Sequence, residues 1–468
     1  MAFLRRPLLL VRRSLLPALA FLLVTAGSGS ARGNAPVCAA TCKEAPVGSG
    51  VLFVLNGHGW GHGVGLSQYG AYGYAQHGWT YDRILAHYYP GTTLGSTTVK
   101  RIRVLLADRK PTLTIASAAD FRVKDAAGQV VQLPAGSYTL DSTLTIDGTT
   151  LTAPLTFSPG TAPLQLGRLY RGTIGVSLVA GKLRAIDTLP LDQYLCGVVP
   201  AEMPYRWSPQ ALQAQAVVAR SFALSTRKLG QPFDVYADTR SQLYLGVSAE
   251  RPTTTAAVDA TAGQVVLYDG QVAHTTFFST SGGRTANGSE VWTGPPLPYL
   301  VSVSDPYDSL SPYHDWGPVL VTGAKLAKAF HVPGGVRDLR TLSGPSGRVA
   351  TLQLFGQDGD EVDVKGTTAR AALGLRSTWW SFGSLSLTPP PGPVAPGSDV
   401  QLSGVVRRLT GVELEARPIG GAWESLQTVT PDASGAFDVT VQPATTTDYR
   451  LANSSIAAAP VRVSVASR

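Results

Sequence analysis

A glycine-rich run near the start of the chain combines residue types that can contact a ligand. It reads Gly-His-Gly-Trp-Gly-His-Gly-Val-Gly at 57–65, with five glycines in nine residues, and continues as Leu-Ser-Gln-Tyr-Gly-Ala at 66–71. Glycine lets the backbone approach a ligand closely or adopt a positive φ. The Trp and the Tyr could pack on sugar rings while His62 and Gln68 hydrogen-bond to hydroxyl groups. The run therefore predicts a loop that faces a carbohydrate.

Two other ligands are conceivable for this loop. His58 and His62 are four residues apart, a spacing that would suit a metal on a helix. A run that alternates with glycine is a poor helix, however, so the spacing does not favour a metal. The glycines also lack the G-x-G-x-x-G order that follows a strand in dinucleotide-binding loops. We therefore predict no metal and no cofactor here.

A second candidate is the carboxylate of Glu202, in the string Val-Val-Pro-Ala-Glu-Met-Pro at 198–204. Apolar neighbours raise the pKa of a carboxyl group by desolvation, which makes a Glu suitable as a general acid near neutral pH. The N-terminus of a following helix acts in the opposite direction, because it stabilises the ionised form. An ordinary turn Glu before a helix is the alternative, and the residues leave both interpretations open.

Two further motifs lie downstream, at 238–246 and at 274–285. The second contains Ser279 and Ser281 before a glycine pair, but it is not the G-x-S-x-G string of a nucleophile elbow. Ser-Thr-Arg-Lys at 225–228 is an S-x-x-K string, as in penicillin-binding proteins. Because S-D-N and K-T-G strings are absent from the sequence, we set that interpretation aside.

The elements that must position these residues are mostly strands. Charged residues make up 15% of the chain, turns are frequent, and residues 99–190 read as a series of strands. One helix stands out at 208–228, with Ser208 as N-cap and Pro209 at its first position; residues 71–89 are a second helical candidate. The predicted fold class is α+β: a β-rich domain with one prominent helix, followed by a small all-β sandwich of immunoglobulin or fibronectin type.

The first 31 residues have the layout of a secretory signal peptide, with a basic start, a short apolar run and small residues; a retained membrane anchor is the alternative. Cleavage there would remove four Arg and no acidic residue, which lowers the net charge from +8 to +4. No basic cluster of nucleic-acid type remains, so we predict no nucleic-acid partner. The expected location is secreted, extracellular and associated with the cell wall.

The predicted organisation has five parts. Residues 1–31 form the signal peptide, 32–50 a linker, 51–387 the main domain, 388–397 a Pro-rich linker and 398–468 the sandwich. Cys38 and Cys42 in the first linker could form a local disulfide, which an exported protein permits. Cys196 lies in an apolar stretch and is expected to be a buried thiol.

Taken together, the motifs resemble the SpoIID/LytB family (stage II sporulation protein D). The resemblance rests on several strings: residues 198–204, 211–222, 242–246, 279–285 and Trp292, together with the glycine-rich run and Ile-Leu-Ala-His-Tyr-Tyr-Pro-Gly at 84–91. In the family's usual order the glycine-rich motif comes last, whereas here it comes first. A circular permutation would explain this order, and it predicts that residues 51–95 pack against residues 350–385.

The resemblance implies a peptidoglycan lytic transglycosylase that acts on glycan strands, preferably those stripped of stem peptides. It assigns the catalytic acid/base to Glu202. Substrate-binding candidates follow from motif proximity: His62, Gln68, Gln215, Arg220, Gln242, Tyr244, Ser279 and Ser281. Some family members hold zinc near the Asp-Thr segment; residues 235–242 contain no Cys or His, so we predict no zinc there.

Two alternative functions remain. A non-catalytic peptidoglycan-binding protein that modifies a cell-wall amidase would have that amidase as its partner and would not need Glu202. A secreted adhesion module would use the C-terminal sandwich, although its sequence contains no cluster of catalytic residue types. The intact string around Glu202 favours the enzyme. A membrane contact is expected only through the first residues if they are not cleaved.

Overall fold

The computed structural model describes residues 35–38, 42–46 and 50–466, so the predicted signal peptide lies outside the described residues. Strand residues outnumber helical ones, at 38% against 19%, which confirms the β-rich α+β prediction. No helix in the described ranges is both long enough and apolar enough to cross a membrane. The α-helices are Gln68–Gln76 (α1), Tyr81–Tyr88 (α2), Leu191–Glu202 (α3), Pro209–Ser225 (α4), Pro252–Ala260 (α5), Gly323–Phe330 (α6) and Gly366–Leu373 (α7).

In the part of the chain that the structure describes, sixteen strands lie before α3. They are Lys43–Glu44 (β1), Leu52–His58 (β2), Leu66–Ser67 (β3), Thr93–Ser96 (β4), Arg101–Lys110 (β5), Leu113–Ser117 (β6), Phe121–Lys124 (β7), Val130–Leu133 (β8), Gly136–Leu140 (β9), Thr145–Ile146 (β10), Thr149–Thr150 (β11), Leu155–Ser158 (β12), Leu164–Leu166 (β13), Arg168–Tyr170 (β14), Thr173–Val179 (β15) and Lys182–Pro190 (β16).

Sixteen more strands follow helix α4. They are Val235–Tyr236 (β17), Gln264–Tyr268 (β18), Gln271–Val272 (β19), Phe277–Phe278 (β20), Asp315–Thr322 (β21), Val336–Ser343 (β22), Val349–Gly356 (β23), Glu361–Lys365 (β24), Trp380–Thr388 (β25), Val400–Arg407 (β26), Glu413–Pro418 (β27), Glu424–Thr428 (β28), Ala436–Val441 (β29), Thr447–Ala452 (β30), Ile456–Ala457 (β31) and Val461–Val463 (β32).

Helices α3 and α4 rest on a core built mainly by strands β5 to β16. A seven-stranded sheet in the order β17-β5-β16-β15-β12-β7-β8 and a four-stranded sheet in the order β14-β13-β6-β9 contribute to this core. Tyr194, Leu195 and Val198 of α3 are fully buried in it. The burial of this apolar face holds α3 in place, and so fixes its last residue, Glu202, at the edge of the core.

Helix α4 begins at the predicted Pro209 and ends at Ser225. The second helical candidate is interrupted, because α1 ends at Gln76 and α2 begins at Tyr81. Gly78, between them, has a φ of +78°, a conformation that glycine adopts without strain. The glycine seen in the sequence thus ends one helix and separates it from the next.

Strand β2 leads directly into the glycine-rich loop and lies between β21 and β25. Its residues Leu52 to Gly57 pair antiparallel with Leu385 to Trp380. The N–H of Gly61 also donates to the carbonyl oxygen of Arg376, at 3.0 Å. The predicted packing of residues 51–95 against residues 350–385 is therefore confirmed by these contacts.

The C-terminal strands share two sheets and one core with strands from earlier in the chain. One sheet has the order β21-β2-β25-β26-β29, and the other has β1-β31-β30-β27-β28 with β32 beside β30. Strands β25 and β26, on either side of the Pro-rich segment, are antiparallel neighbours. The predicted boundaries at 387 and 398 stay predictions, but the segment between them joins adjacent strands of one sheet.

The N-terminal segment also contacts the C-terminal sheets. Cys38 and Cys42 form a disulfide, as predicted, and β1 just after it pairs parallel with β31. The backbone N–H of Cys38 donates to the buried carboxylate of Glu415, at 3.2 Å. The third cysteine, Cys196, is a buried free thiol, which confirms that expectation.

Candidate functional site

Glu202 is the last residue of α3, and its position follows from how that helix ends. Pro200 lies within the final turn, and the chain leaves the helix at Met203, which is extended. The carboxylate accepts a hydrogen bond from the backbone N–H of Leu243, at 3.4 Å. Burial raises the pKa of Glu202, and the Leu243 N–H partly opposes that change. A carboxyl group that stays protonated to a higher pH is suited to act as a general acid.

Glu202 opens into a cavity of about 450 Å³ that joins all four sequence motifs. The glycine-rich loop, the Glu202 string and the motifs at 238–246 and 274–285 each contribute to its walls. Its lining residues are His62, Glu202, Phe222, Thr239, Ser241, Gln242, Leu243, His274, Thr276, Phe277 and Trp292. Among these lining residues, Glu202 is the single carboxylate. Aromatic walls with a few polar groups are typical of a site that holds sugar rings.

His62 is fixed within this wall by two backbone hydrogen bonds. Its Nε2–H donates to the carbonyl oxygen of Phe277, at 3.0 Å, and its Nδ1 accepts from the N–H of Val64, at 3.1 Å. These partners settle the tautomer, because a carbonyl can only accept and an amide N–H can only donate. Burial lowers the pKa of His62 to about 4. The predicted hydrogen bond from His62 to a hydroxyl group is therefore not available, and the ring contributes to the wall instead.

The neutral state of His62 predicts a pH-dependent stability. An unfolded His binds its proton near pH 6.5, whereas folded His62 binds it near pH 4, so the unfolded state holds more protons between these values. The free energy of unfolding should therefore fall as pH is lowered from about 6.5 to about 4, by up to about 3 kcal/mol from this group. Chemical unfolding of the protein at several pH values measures the effect.

The matched comparison uses two variants. His62→Gln should reduce the slope of the free energy of unfolding against pH in this range. The reduction should correspond to about one proton that the unfolded wild type binds and the folded wild type does not. His331→Asn replaces an exposed His at a helix end in the left-handed conformation, which Asn tolerates, and should keep the wild-type slope. An unchanged slope in His62→Gln would contradict the assignment.

Gln242 is the second predicted substrate-binding residue that lines the cavity. Its Oε1 accepts from the hydroxyl group of Tyr194, at 3.3 Å. Its Nε2 is buried and has no hydrogen-bond partner among the residues that the structure describes. A buried donor without a partner is costly, so this amide is available to an acceptor on a ligand.

The structure does not bring four of the other predicted residues to the cavity lining. Arg220 is fully buried, and its Nη2 donates to Asp192, at 2.7 Å, while its Nη1 donates to the carbonyl oxygen of Gln264, at 3.0 Å. Gln68 donates to the fully buried Gln215, at 3.5 Å. Tyr244 is also buried, and its hydroxyl group donates to Asp187, at 3.0 Å. These side chains are engaged inside the protein, so we correct their assignment to the substrate.

The two serines also differ from the prediction. Ser281 is fully buried, and its hydroxyl group donates to Asp308, at 2.8 Å. Ser279 lies 3.2 Å from the hydroxyl group of Thr280 and does not line the cavity. The motif at 274–285 instead supplies His274, Thr276 and Phe277 to the wall. The sequence motif was therefore the right one, but its serine hydroxyl groups were chosen, whereas the segment just before them lines the cavity.

Trp292 and Phe222 were also absent from the predicted site. Trp292 is 41% exposed, and its ring centroid lies 5.1 Å from that of His62. Phe222 follows Arg220 and Ser221 near the end of α4. A Trp among several glycines was the available sequence signal for Trp292, while no sequence signal distinguishes Phe222 from its buried neighbours. Within the described residues no group of three or more His, Cys, Asp and Glu could hold a metal ion.

A family model matches the part of the chain that contains α3 and α4. Residues 179–268, which carry α3, Glu202 and α4, match the SpoIID family model, described as stage II sporulation protein. This match confirms the resemblance inferred from the motifs. A comparison with solved structures gives no significant match.

Curated relatives show the same similarity. The chain is 32% identical to the stage II sporulation protein D of Bacillus subtilis (strain 168) over 214 residues, covering 42% of this chain and 60% of that protein. It is 31% identical to the protein of the same name from Bacillus amyloliquefaciens, covering 45% and 64%. An amidase enhancer of Bacillus subtilis (strain 168) is 31% identical over 41% of this chain and 26% of its own length. The chain thus spans less than two thirds of each of these relatives.

Proposed function

We propose that this protein is an exported lytic transglycosylase that cleaves peptidoglycan between MurNAc and GlcNAc and forms 1,6-anhydro-MurNAc ends. One observation supports this above the others: the cavity is lined by one carboxylate, Glu202, whose pKa is raised by burial. Glycoside hydrolases of the common kinds use two carboxylates, one as acid and one as base or nucleophile. An intramolecular reaction of the sugar requires only one.

The reaction can be balanced with Glu202 alone. Protonated Glu202 donates its proton to the glycosidic oxygen as the bond from that oxygen to C1 of MurNAc breaks. The bonding electrons leave with the oxygen, and C1 acquires oxocarbenium character. The ionised carboxylate then takes the proton from the C6 hydroxyl group of the same sugar as its oxygen bonds to C1. Glu202 is thereby protonated again, and no water is consumed.

The rest of the cavity suits a glycan. Trp292, Phe277 and Phe222 offer apolar faces on which sugar rings can pack. The hydroxyl groups of Thr239 and Ser241 and the free amide of Gln242 supply polar groups at the same wall. The N–H of Leu243 can hold the carboxylate in its ionised form between the two proton transfers. Preference for peptide-stripped strands is part of the proposal.

The proposal includes location and organisation. A signal peptide at residues 1–31 would export the chain to the cell wall, outside the cytoplasm. Residues 51–387 would form the SpoIID-like catalytic domain, and residues 398–468 would supply most of an immunoglobulin-like sandwich. The two C-terminal sheets around a shared core support the latter.

One relative supports a second candidate function. The amidase enhancer of Bacillus subtilis matches 41% of this chain. By analogy with its name, the protein would bind peptidoglycan without cleaving it and modify a cell-wall amidase. Both candidates share the glycan as ligand, so the nature of the product distinguishes them.

The test is a digest of purified glycan strands from which an amidase has removed the peptides, with the products identified by mass spectrometry. Anhydro-MurNAc ends are the expected result. Reducing ends would instead mean that water attacks C1, and the transglycosylase mechanism would be wrong. Binding without any cleavage would favour the amidase modifier.

A further inference from the structure

An aromatic pair, one ring exposed and one half-buried, lies beside the glycine-rich loop, outside the residues that line the cavity. Trp60 is 42% exposed, and its ring meets the ring of Tyr313 edge-on, with 4.3 Å between centroids. The guanidinium carbon of Arg376 lies 4.4 Å from the Tyr313 centroid and 5.3 Å from the Trp60 centroid. Aromatic rings next to a ligand cavity offer apolar faces on which a sugar ring can pack.

The guanidinium group of Arg376 is free to bind an anion. Arg376 is exposed, and it forms no ion pair with a carboxylate of the described chain. Stacking on aromatic rings orients the plane of an arginine while its N–H edge remains available. That edge matches the two oxygens of a carboxylate.

The aromatic pair is continuous with the Glu202 cavity. Trp60 and Thr280 form a two-way backbone bridge, with N–H to O distances of 2.8 and 3.0 Å. His62, two residues after Trp60, and Phe277, three residues before Thr280, both line the cavity. Three residues of extended chain span about 10 Å, so a ligand in the cavity could continue onto the aromatic pair. Trp60 and part of the cavity wall are carried by the same two paired segments, and the N–H of Gly61 donates to the carbonyl oxygen of Arg376, at 3.0 Å, which fixes Arg376 beside them.

We propose that Trp60, Tyr313 and Arg376 form a second saccharide subsite that binds a muramic acid residue carrying a free lactyl carboxylate. This proposal rests on the proposed function, because it extends the same glycan beyond the cleavage site. The aromatic rings would pack on the C–H face of the sugar, and the guanidinium group would pair with the lactyl carboxylate. In a strand that keeps its peptides this carboxylate is an amide and carries no charge. The subsite would therefore select stripped strands by charge.

The test measures glycan binding in the Glu202→Gln background, so that no cleavage occurs. The ligands are peptide-stripped glycan and the same glycan with its carboxylates converted to methylamides. Arg376→Gln should weaken binding of the free acid by about 10- to 100-fold and leave binding of the methylamide unchanged. Trp60→Ala should weaken binding of both ligands, by about tenfold, because both keep the sugar ring.

Arg83→Gln is the matched control. Arg83 is also exposed, and its guanidinium carbon lies 3.7 Å from the ring centroid of Trp79, away from the cavity lining. This variant should bind both glycans as the parent does. The subsite would be overturned if the Arg376→Gln variant and its parent bound the free acid with equal affinity. It would also be overturned if Arg376→Gln weakened binding of the two glycans equally. Absence of glycan binding by the Glu202→Gln parent and by the wild type would overturn the proposed function itself.

Discussion

Glu202→Gln is expected to reduce the rate of glycan cleavage by at least about 10²- to 10⁴-fold, the usual contribution of a general acid or base. The amide has nearly the shape of the carboxyl group but can neither donate the proton to the glycosidic oxygen nor accept one from the C6 hydroxyl group. Loss of both steps from one substitution is the reason for the large effect. Cleavage is followed as the release of anhydro-MurNAc ends from stripped strands.

The same variant should fold normally. Burial already disfavours the charged form of Glu202, so a neutral isostere removes no stabilising ion pair. Binding of stripped glycan should persist, which separates a catalytic role from a structural one. Glu250→Gln serves as the control: this carboxylate pairs with Arg171, at 2.6 Å, and is not among the cavity-lining residues. If Glu202→Gln cleaved glycan at the wild-type rate, Glu202 could not be the catalytic acid and base.

The second large effect concerns stability. Arg220→Ala should lower the free energy of unfolding by about 2–5 kcal/mol, because it removes a fully buried side chain together with its hydrogen bonds. Arg220 has no exposed side-chain surface, and it connects α4 to Asp192 at the start of α3 and to the carbonyl oxygen of Gln264 on β18. Its loss leaves Asp192 and the Gln264 carbonyl oxygen without this hydrogen-bond donor. It also leaves a cavity in the core. Equilibrium unfolding in denaturant measures the change.

Two comparisons make this result specific. Arg206→Ala removes an exposed arginine and should change stability by less than about 0.5 kcal/mol. Under conditions where the Arg220→Ala protein is folded, its KM for stripped glycan should equal that of the wild type. A raised KM without a loss of stability would restore Arg220 to the substrate-binding site and contradict the structural role.

Much of the architecture could be predicted from the sequence, because it depends on local signals. Pro209 and the Ala-rich run after it start α4 where expected. Motif order led to the expectation that the glycine-rich segment packs on residues 350–385, and β2 does pair with β25. The string around Glu202 singled out the carboxylate that lies in the cavity. Whether Glu202 is the catalytic group remains a prediction.

Which polar residues are buried could not be predicted from such local signals. Most residues of α4 are buried, on all faces of the helix. Its polar residues Gln215 and Arg220 therefore lie inside the protein. Such residue types usually face water or a ligand, and α4 has no amphipathic face that would correct that expectation. The helix's largely apolar composition was the available warning, since a helix without a polar face is usually central.

Residue types and their local order can be read directly from the chain: the glycines, the apolar composition of α4 and the carboxylate between two prolines. Which of these residues meet depends on how distant segments pack together. Phe222, Phe277 and Trp292 come from separate segments and share one wall with Glu202. Local signals depend on neighbours a few residues apart, whereas a cavity wall depends on strand pairing such as that of Trp60 with Thr280, 220 positions away in the chain. Desolvation of Glu202, and hence its raised pKa, is a property of that assembled wall.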